Sequence, residues 1–238
     1  MDFTFSIISV IVPCYNYGHY LCDSIGSVLN QKLIAPLQTE VIIVDDASTD
    51  QSFDLATEIT RLFNNVHVIR NDKNSKVSFS RNVGIKQSTG QFLVCLDADD
   101  IIPSNYLQAN YDTLIKNNVD ISYSNSQCFG KSNKLYTWPE YDINNLRGFN
   151  FIHCAAMYNR KVWESVGGYD ESFIYGVEDY DFWLMAAKNG FSFKKCNDTF
   201  LWYRRSDKQS ADNTAFEHKE FISEQLKKKH GDFLCGKI

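Results

Sequence analysis

Short β-branched apolar runs, each ending in a polar cluster and leading into a helix-period stretch, limit this chain's fold more than any other feature. Residues 6–12 (SIISVIV) are stopped by Pro13, as a buried strand would be. Residues 40–44 (EVIIV) end in Asp45-Asp46-Ala47-Ser48-Thr49-Asp50, and residues 91–96 (QFLVCL) run directly into Asp97-Ala98-Asp99-Asp100. Residues 66–70 form a further strand. Helices are expected between them, at about 19–31, across Leu55, Ile59, Leu62 and Phe63, at 78–87, and across Leu107, Tyr111, Leu114 and Ile115. Strand, crossover helix and strand at this rhythm mean βαβ units and a mostly parallel sheet, an α/β fold flanked by helices. In such sheets ligands bind beyond the carboxyl ends of the strands, so the three polar clusters should meet at one rim.

The second half is less regular. Residues 119–158 read as strands and loops, 167–170 as a turn, and 178–188 as a helix with Phe182, Met185 and Ala186 inward. Residues 199–210 read as a strand running into a loop, and an amphipathic helix starts near Thr214 and ends in Lys227-Lys228-Lys229-His230. Without a repeat, a low-complexity tract or a linker, one domain over 1–238 is expected. Its parts are a half at about 1–100, a second at about 101–210 and a helical tail at 211–238.

Composition excludes several classes. A net charge of −5 argues against a nucleic-acid partner. No apolar run approaches the roughly 18 residues that cross a bilayer, and Met1-Asp2-Phe3-Thr4 lacks a secretory start. The 7 cysteines are scattered without a CxxC pair, which suits free thiols in a reducing compartment. The expectation is a cytoplasmic protein. The lysine run admits peripheral association with the inner face of an anionic membrane, or simply complements a helix dipole.

Each polar cluster has a structural and a chemical reading. Asp97, Asp99 and Asp100 would repel one another unless a cation sits among them, and hard Mg²⁺ or Mn²⁺ ions take carboxylates together with substrate phosphates. The same residues could be a solvated turn before a helix. Asp45-Asp46 closes its strand ahead of an N-cap, and a carboxylate there can also accept from a nucleobase or ribose. Pro13-Cys14-Tyr15-Asn16 could offer a ring for stacking. Arg81 could pair with phosphate oxygens or with a surface carboxylate. Glu178-Asp179 could complement the dipole of its helix, or supply a general base.

In this order, VIVPCYN (10–16), VIIVDDASTD (41–50), FSRNVGI (79–85), FLVCLDADD (92–100), VGGYDES (166–172) and VEDYDFWLMAAKNG (177–190) resemble the inverting family-2 glycosyltransferases of the GT-A fold. The resemblance spans residues 6 to 205. It implies a Rossmann-like sheet, a nucleotide-sugar donor (typically a UDP-sugar), and an acceptor hydroxyl on a glycan or lipid-linked glycan. It places Pro13 and Tyr15 in the nucleoside pocket, Asp46 on the base, Arg81 near the diphosphate and Asp97 on the ribose or sugar side. Asp99 would bind Mn²⁺ or Mg²⁺, with Asp100 as a second metal contact. Asp179 would be the catalytic base, with Glu178 contacting the acceptor or positioning that base. Residues 125–160, including Trp138, Tyr141 and His153, would shape the acceptor side, and a loop at 206–213 would close over the donor. One departure is expected to matter: Tyr203-Arg204-Arg205-Ser206 lacks the histidine that many members carry there. The competing readings are a non-catalytic nucleotide-sugar binding module, an aspartate-nucleophile phosphotransferase, which would want its DxD after the first strand, and a pyrophosphorylase, which would want a glycine-rich loop there.

Overall fold

The computed structural model describes residues 6–206 and 216–237. An eight-stranded sheet runs in the order β3-β2-β1-β4-β7-β5-β6, with β8 paired to β5. Its first half is the expected βαβ series: β1 (Ser6–Cys14), α1 (Gly18–Leu29), β2 (Leu37–Asp45), α2 (Ser52–Leu62), β3 (Val66–Arg70), α3 (Lys76–Gln87) and β4 (Phe92–Cys95). β1 pairs in parallel with both β2 and β4, and β2 with β3. Val10, Ile11, Val41, Ile43 and Val94 are buried, which explains the unbroken apolar runs, because helices cover both faces.

The second half adds α4 (Tyr106–Asn117), β5 (Ile121–Gly130), β6 (Leu135–Tyr136), α5 (Ile143–Gly148), β7 (Met157–Asn159), α6 (Arg160–Val166), α7 (Glu178–Lys188), β8 (Phe193–Arg205) and α8 (Lys219–Leu234). β7 is antiparallel to both β4 and β5, so it reverses direction in the middle of the sheet. β8 runs parallel to β5 and carries the chain back beside β4's end, where Trp202 bridges Ile101.

Several local expectations are corrected. In α2, Ala56 and Ile59 face inward, whereas Leu62 at 75% exposure and Phe63 lie outside, because the helix ends there and the chain turns away. In α7, Phe182 and Ala186 are buried with Trp183 and Leu184, while Met185 is half-buried, since core packs on nearly all of this helix. Residues 143–148 are helical rather than strand or loop, and a further short helix at 160–166 was not anticipated. The basic run 227–230 is not a last turn, since α8 continues to Leu234. No helix among the described residues is long and apolar enough to cross a membrane.

Candidate functional site

The loop after β1 is clipped to the loop after β2. Asn16 takes a φ of 58°, a conformation that asparagine tolerates better than most residues. Its Oδ1 accepts the amides of Thr49 (2.8 Å) and Asp50 (3.3 Å), and its own amide donates to Ser48 Oγ (3.0 Å). Asp50 Oδ1 accepts the Ser52 amide at 2.9 Å, just ahead of α2, whose N-cap residue Gln51 makes no side-chain cap bond of its own. Beside this clip lie half-buried Pro13 and the ring of Tyr15, 41% exposed at the rim.

Asp46 is buried, and the described chain already meets its carboxylate. Oδ1 accepts from Asn71 Nδ2 (2.7 Å) and the Ser75 amide (2.9 Å), and Oδ2 from the Lys76 amide (2.8 Å). It therefore anchors the start of α3. That helix lies tight on the sheet, because a Cβ at Gly84 would come within 2.4 Å of Ile11 Cγ2. The close approach carries Arg81 inward instead of leaving it on the surface.

Arg81, only 2% exposed, joins the two halves of the site. Its Nη2 lies 2.9 Å from Asp97 Oδ1 and its Nη1 2.6 Å from Glu178 Oε1. Burial works against the charge, but Cys154, Asp97 and Glu178 more than offset it, so the guanidinium's pKa goes up and it stays charged. Cys154 Sγ approaches Asp97 Oδ2 at 3.5 Å.

On the other side of this pair, Asp179 Oδ1 accepts from the Tyr180 amide (2.7 Å) and Asn150 Nδ2 (3.1 Å). Burial, with the neighbouring Glu178 adding to it, pushes the Asp179 carboxyl up to about 7. A carboxylate so tuned can hold or release a proton near neutrality.

At the end of β4, burial and the charge of Asp97 push Asp99 up to about 6. Asp100 is also raised, by burial first and then by Asp99 and Asp97, and its Oδ1 accepts the Arg204 amide at 2.8 Å. Arg204, in the Tyr203-Arg204-Arg205-Ser206 segment that lacks the late histidine of many family members, lies against this acidic turn. Its Nε donates to the Asp99 carbonyl (2.7 Å) and its Nη2 to Asp23 (3.1 Å), and its guanidinium carbon lies between the rings of Tyr20 (4.2 Å) and Phe129 (4.4 Å). Arg204 thus brings positive charge to the acidic turn while being held on every side.

Residues 9–167 match the sequence profile of glycosyl transferase family 2. The chain belongs to that family. It is 26% identical over 211 residues to an Escherichia coli protein, UDP-Glc:alpha-D-GlcNAc-diphosphoundecaprenol beta-1,3-glucosyltransferase WfgD, covering 87% of this chain and 80% of that one. Two curated relatives from Streptococcus pneumoniae are much longer, and the chain spans 41% and 18% of their lengths. Among solved structures, Staphylococcus aureus TarS residues 1–349 with UDP-GlcNAc superposes with a TM-score of 0.74 at 22% identity, over 86% of this chain and 60% of that one. The mannosyltransferase PcManGT of Pyrobaculum calidifontis with GDP-Man and Mn²⁺ gives 0.68 at 19% identity, over 86% and 59%. These likenesses fix the fold as GT-A.

For this family-2 chain the acidic turn fits a hard divalent cation. Its donors are carboxylate oxygens, and a cation would offset both the burial and the charge of Asp97 that raise Asp99. Among the described residues no group of three or more His, Cys, Asp or Glu side chains is arranged to hold a metal alone, so substrate oxygens would have to complete the shell.

Sequence reasoning missed Asn150 and Cys154, whose partners lie 29 and 57 residues away and follow no spacing rule. It also missed the lock on α7. Buried Asp181 accepts from His230 Nε2 (2.7 Å) and Lys229 Nζ (2.9 Å), and Lys229 reaches Asp170 (2.6 Å) as well. The basic run is therefore split, with Lys227 and Lys228 exposed and Lys229-His230 turned inward. Of the aromatics expected near the acceptor, Tyr141 stacks on Phe193 (4.4 Å) and Trp138 on Tyr136 (5.2 Å). The loop expected to close over the donor falls, from residue 207 on, outside the described residues.

Proposed function

We propose that this chain transfers a sugar, with inversion, from a UDP-sugar to a hydroxyl of a glycan or lipid-linked glycan, with Asp179 as general base. The observation that carries this reading is the double ion pair of Arg81, which ties a carboxylate at the β4 end to the Glu-Asp pair of α7. A donor held at the strand ends and an acceptor held at α7 would then meet across one guanidinium.

Pro13 and Tyr15 would flank the nucleoside, with Asp46 holding the floor of its pocket and pairing with the base. Asp97 would receive the ribose or sugar. Asp99, with Asp100 behind it, would hold Mn²⁺ or Mg²⁺, which supplies charge neutralisation to the departing diphosphate. The mannosyltransferase of the same fold, solved with GDP-Man and Mn²⁺, supports that assignment. Asp179, with its carboxyl raised to about 7, takes the proton of the acceptor hydroxyl. The freed oxygen attacks the anomeric carbon from the face opposite the leaving group, forming the new C–O bond as the bond to the diphosphate breaks. Arg81 holds Glu178 aligned beside the base, and Arg204 adds fixed positive charge near the diphosphate. Fixed charges that meet charge developing in the transition state lower the barrier without reorganising. A lipid-linked acceptor fits the diphosphoundecaprenol acceptor for which the WfgD relative is named, and would place the enzyme at the inner face of a membrane.

The test is incubation of the purified chain with Mn²⁺ and a panel of UDP-sugars, with UDP release followed with and without candidate acceptors. Release from at least one donor, accelerated by an acceptor, is expected. Donor binding without release or transfer from any member of the panel would favour the non-catalytic binding module.

A further inference from the structure

One side chain at the junction of the two half-sites has no role in the mechanism above. His153 lies in the segment between α5 and β7, three residues after Asn150 and directly before Cys154, the residues that touch Asp179 and Asp97. The backbone around it is pinned from two helices. Trp183 Nε1 of α7 donates to the Ile152 carbonyl (2.8 Å), and the Tyr106 hydroxyl of α4 donates to the Ala155 carbonyl (3.0 Å). The ring is thus placed by its backbone.

Both ring nitrogens of His153 are enclosed, and neither completes a hydrogen bond among the described residues. The Ser124 carbonyl and the Asp97 carboxylate lie near enough to favour a charged ring, yet burial outweighs them and pushes the imidazolium down to about 4. The ring is neutral at physiological pH and offers one donor and one acceptor. Enclosed polar groups in native proteins are nearly always paired. An unpaired one within reach of the charge of Asp97, on the segment whose Asn150 and Cys154 touch Asp179 and Asp97, calls for a partner that arrives with the substrate. A hydroxyl, itself donor and acceptor, matches a neutral imidazole.

Resting on the function proposed above, we propose that His153 is a specificity-determining residue that hydrogen-bonds a sugar hydroxyl at the transfer centre. A site built around such a bond penalises a substrate lacking that hydroxyl, because the imidazole is then left buried and unpaired.

The experiment uses the full chain, the His153→Phe and His153→Gln variants, and the working UDP-sugar and acceptor with their singly deoxygenated analogues. The unaltered chain should turn over one deoxy analogue with kcat/KM about tenfold or more below its parent. His153→Phe should bring that pair within about threefold, and His153→Gln should retain part of the discrimination, while affinity for UDP alone stays unchanged in both. Whether the sensitive analogue is a donor or an acceptor identifies which sugar carries the hydroxyl. A folded His153→Phe protein that discriminates every analogue as the unaltered chain does would overturn the proposal. If that variant does not fold, the ring ¹⁵N resonances of His153 in the unaltered chain decide. They should move when the donor sugar or the acceptor is added but not with UDP alone, and resonances that move with neither substrate defeat the idea. Absence of any donor turnover in the unaltered chain sinks the parent reading and this one with it, whereas unchanged selectivity in the variants counts against this one alone.

Discussion

The proposed donor rim and the proposed acceptor side of this family-2 chain are built in different ways. At the rim, the strand ends of β1, β2 and β4 deliver their carboxylates and turns directly, and the loops are clipped together by short side chains such as Asn16 and Asp46. On the acceptor side, α7 is held by partners from remote parts of the chain. Arg81 reaches Glu178 across 97 residues, Asn150 reaches Asp179 across 29, and His230 reaches Asp181 across 49. Parallel-sheet topology alone thus assembles the proposed nucleotide site, whereas the proposed base needs a dedicated set of long-range polar contacts.

The sharpest way to break that distinction is to remove the one residue that belongs to both regions. Arg81→Ala leaves Asp97 and Glu178 as unpaired, partly buried carboxylates, and should cost about 3–5 kcal/mol in chemical denaturation. A loss under about 1 kcal/mol would mean that the two regions are held independently. Asp46→Ala tests the rim alone. Removing an acceptor shared by Asn71, Ser75 and Lys76 should cost about 2 kcal/mol, with hydrogen exchange quickening at the start of α3 and unchanged in α7. Exchange that quickens equally in both places would erase the contrast. Lys229→Ala tests the lock on α7. Lys229 is partly exposed and His230 still pairs with Asp181, so a stability loss of about 1 kcal/mol is expected. Transfer should fall while UDP affinity holds, and equal losses in both would show that α8 serves the whole fold.

The same contrast explains what could be read from sequence. The strands, the strand-end clusters and α7 were legible, because apolar run length and helical period report burial directly. Short helices were not, since α5 and α6 offer six and seven residues, too few for a period to repeat. Leu62 and Phe63 fit a helical face by spacing, yet the helix ends before that face reaches the core. Arg81 looked like a surface cation or a phosphate ligand, and only the close packing permitted by Gly84 shows its side chain inside. Asn150, Cys154 and Lys229-His230 act across distances that no local pattern encodes.

The titration of the base supplies a smaller but cleaner effect. The Asp179 carboxyl is raised to about 7, and only its deprotonated form accepts a proton, so transfer should rise with pH through about 7 and stand roughly tenfold below its plateau at pH 6. A rate flat from pH 6 to 8 in the chemistry-limited range would remove Asp179 as the titrating base.

The central claim, that α7 carries the base while the strand ends carry the donor, is met most directly by one paired measurement on Asp179→Asn. With UDP-sugar and Mn²⁺ present, donor affinity should match that of the unaltered chain while acceptor-dependent transfer falls by about 10²-fold or more. Transfer within a few-fold of normal, or donor affinity lost together with transfer, would contradict the division of the site.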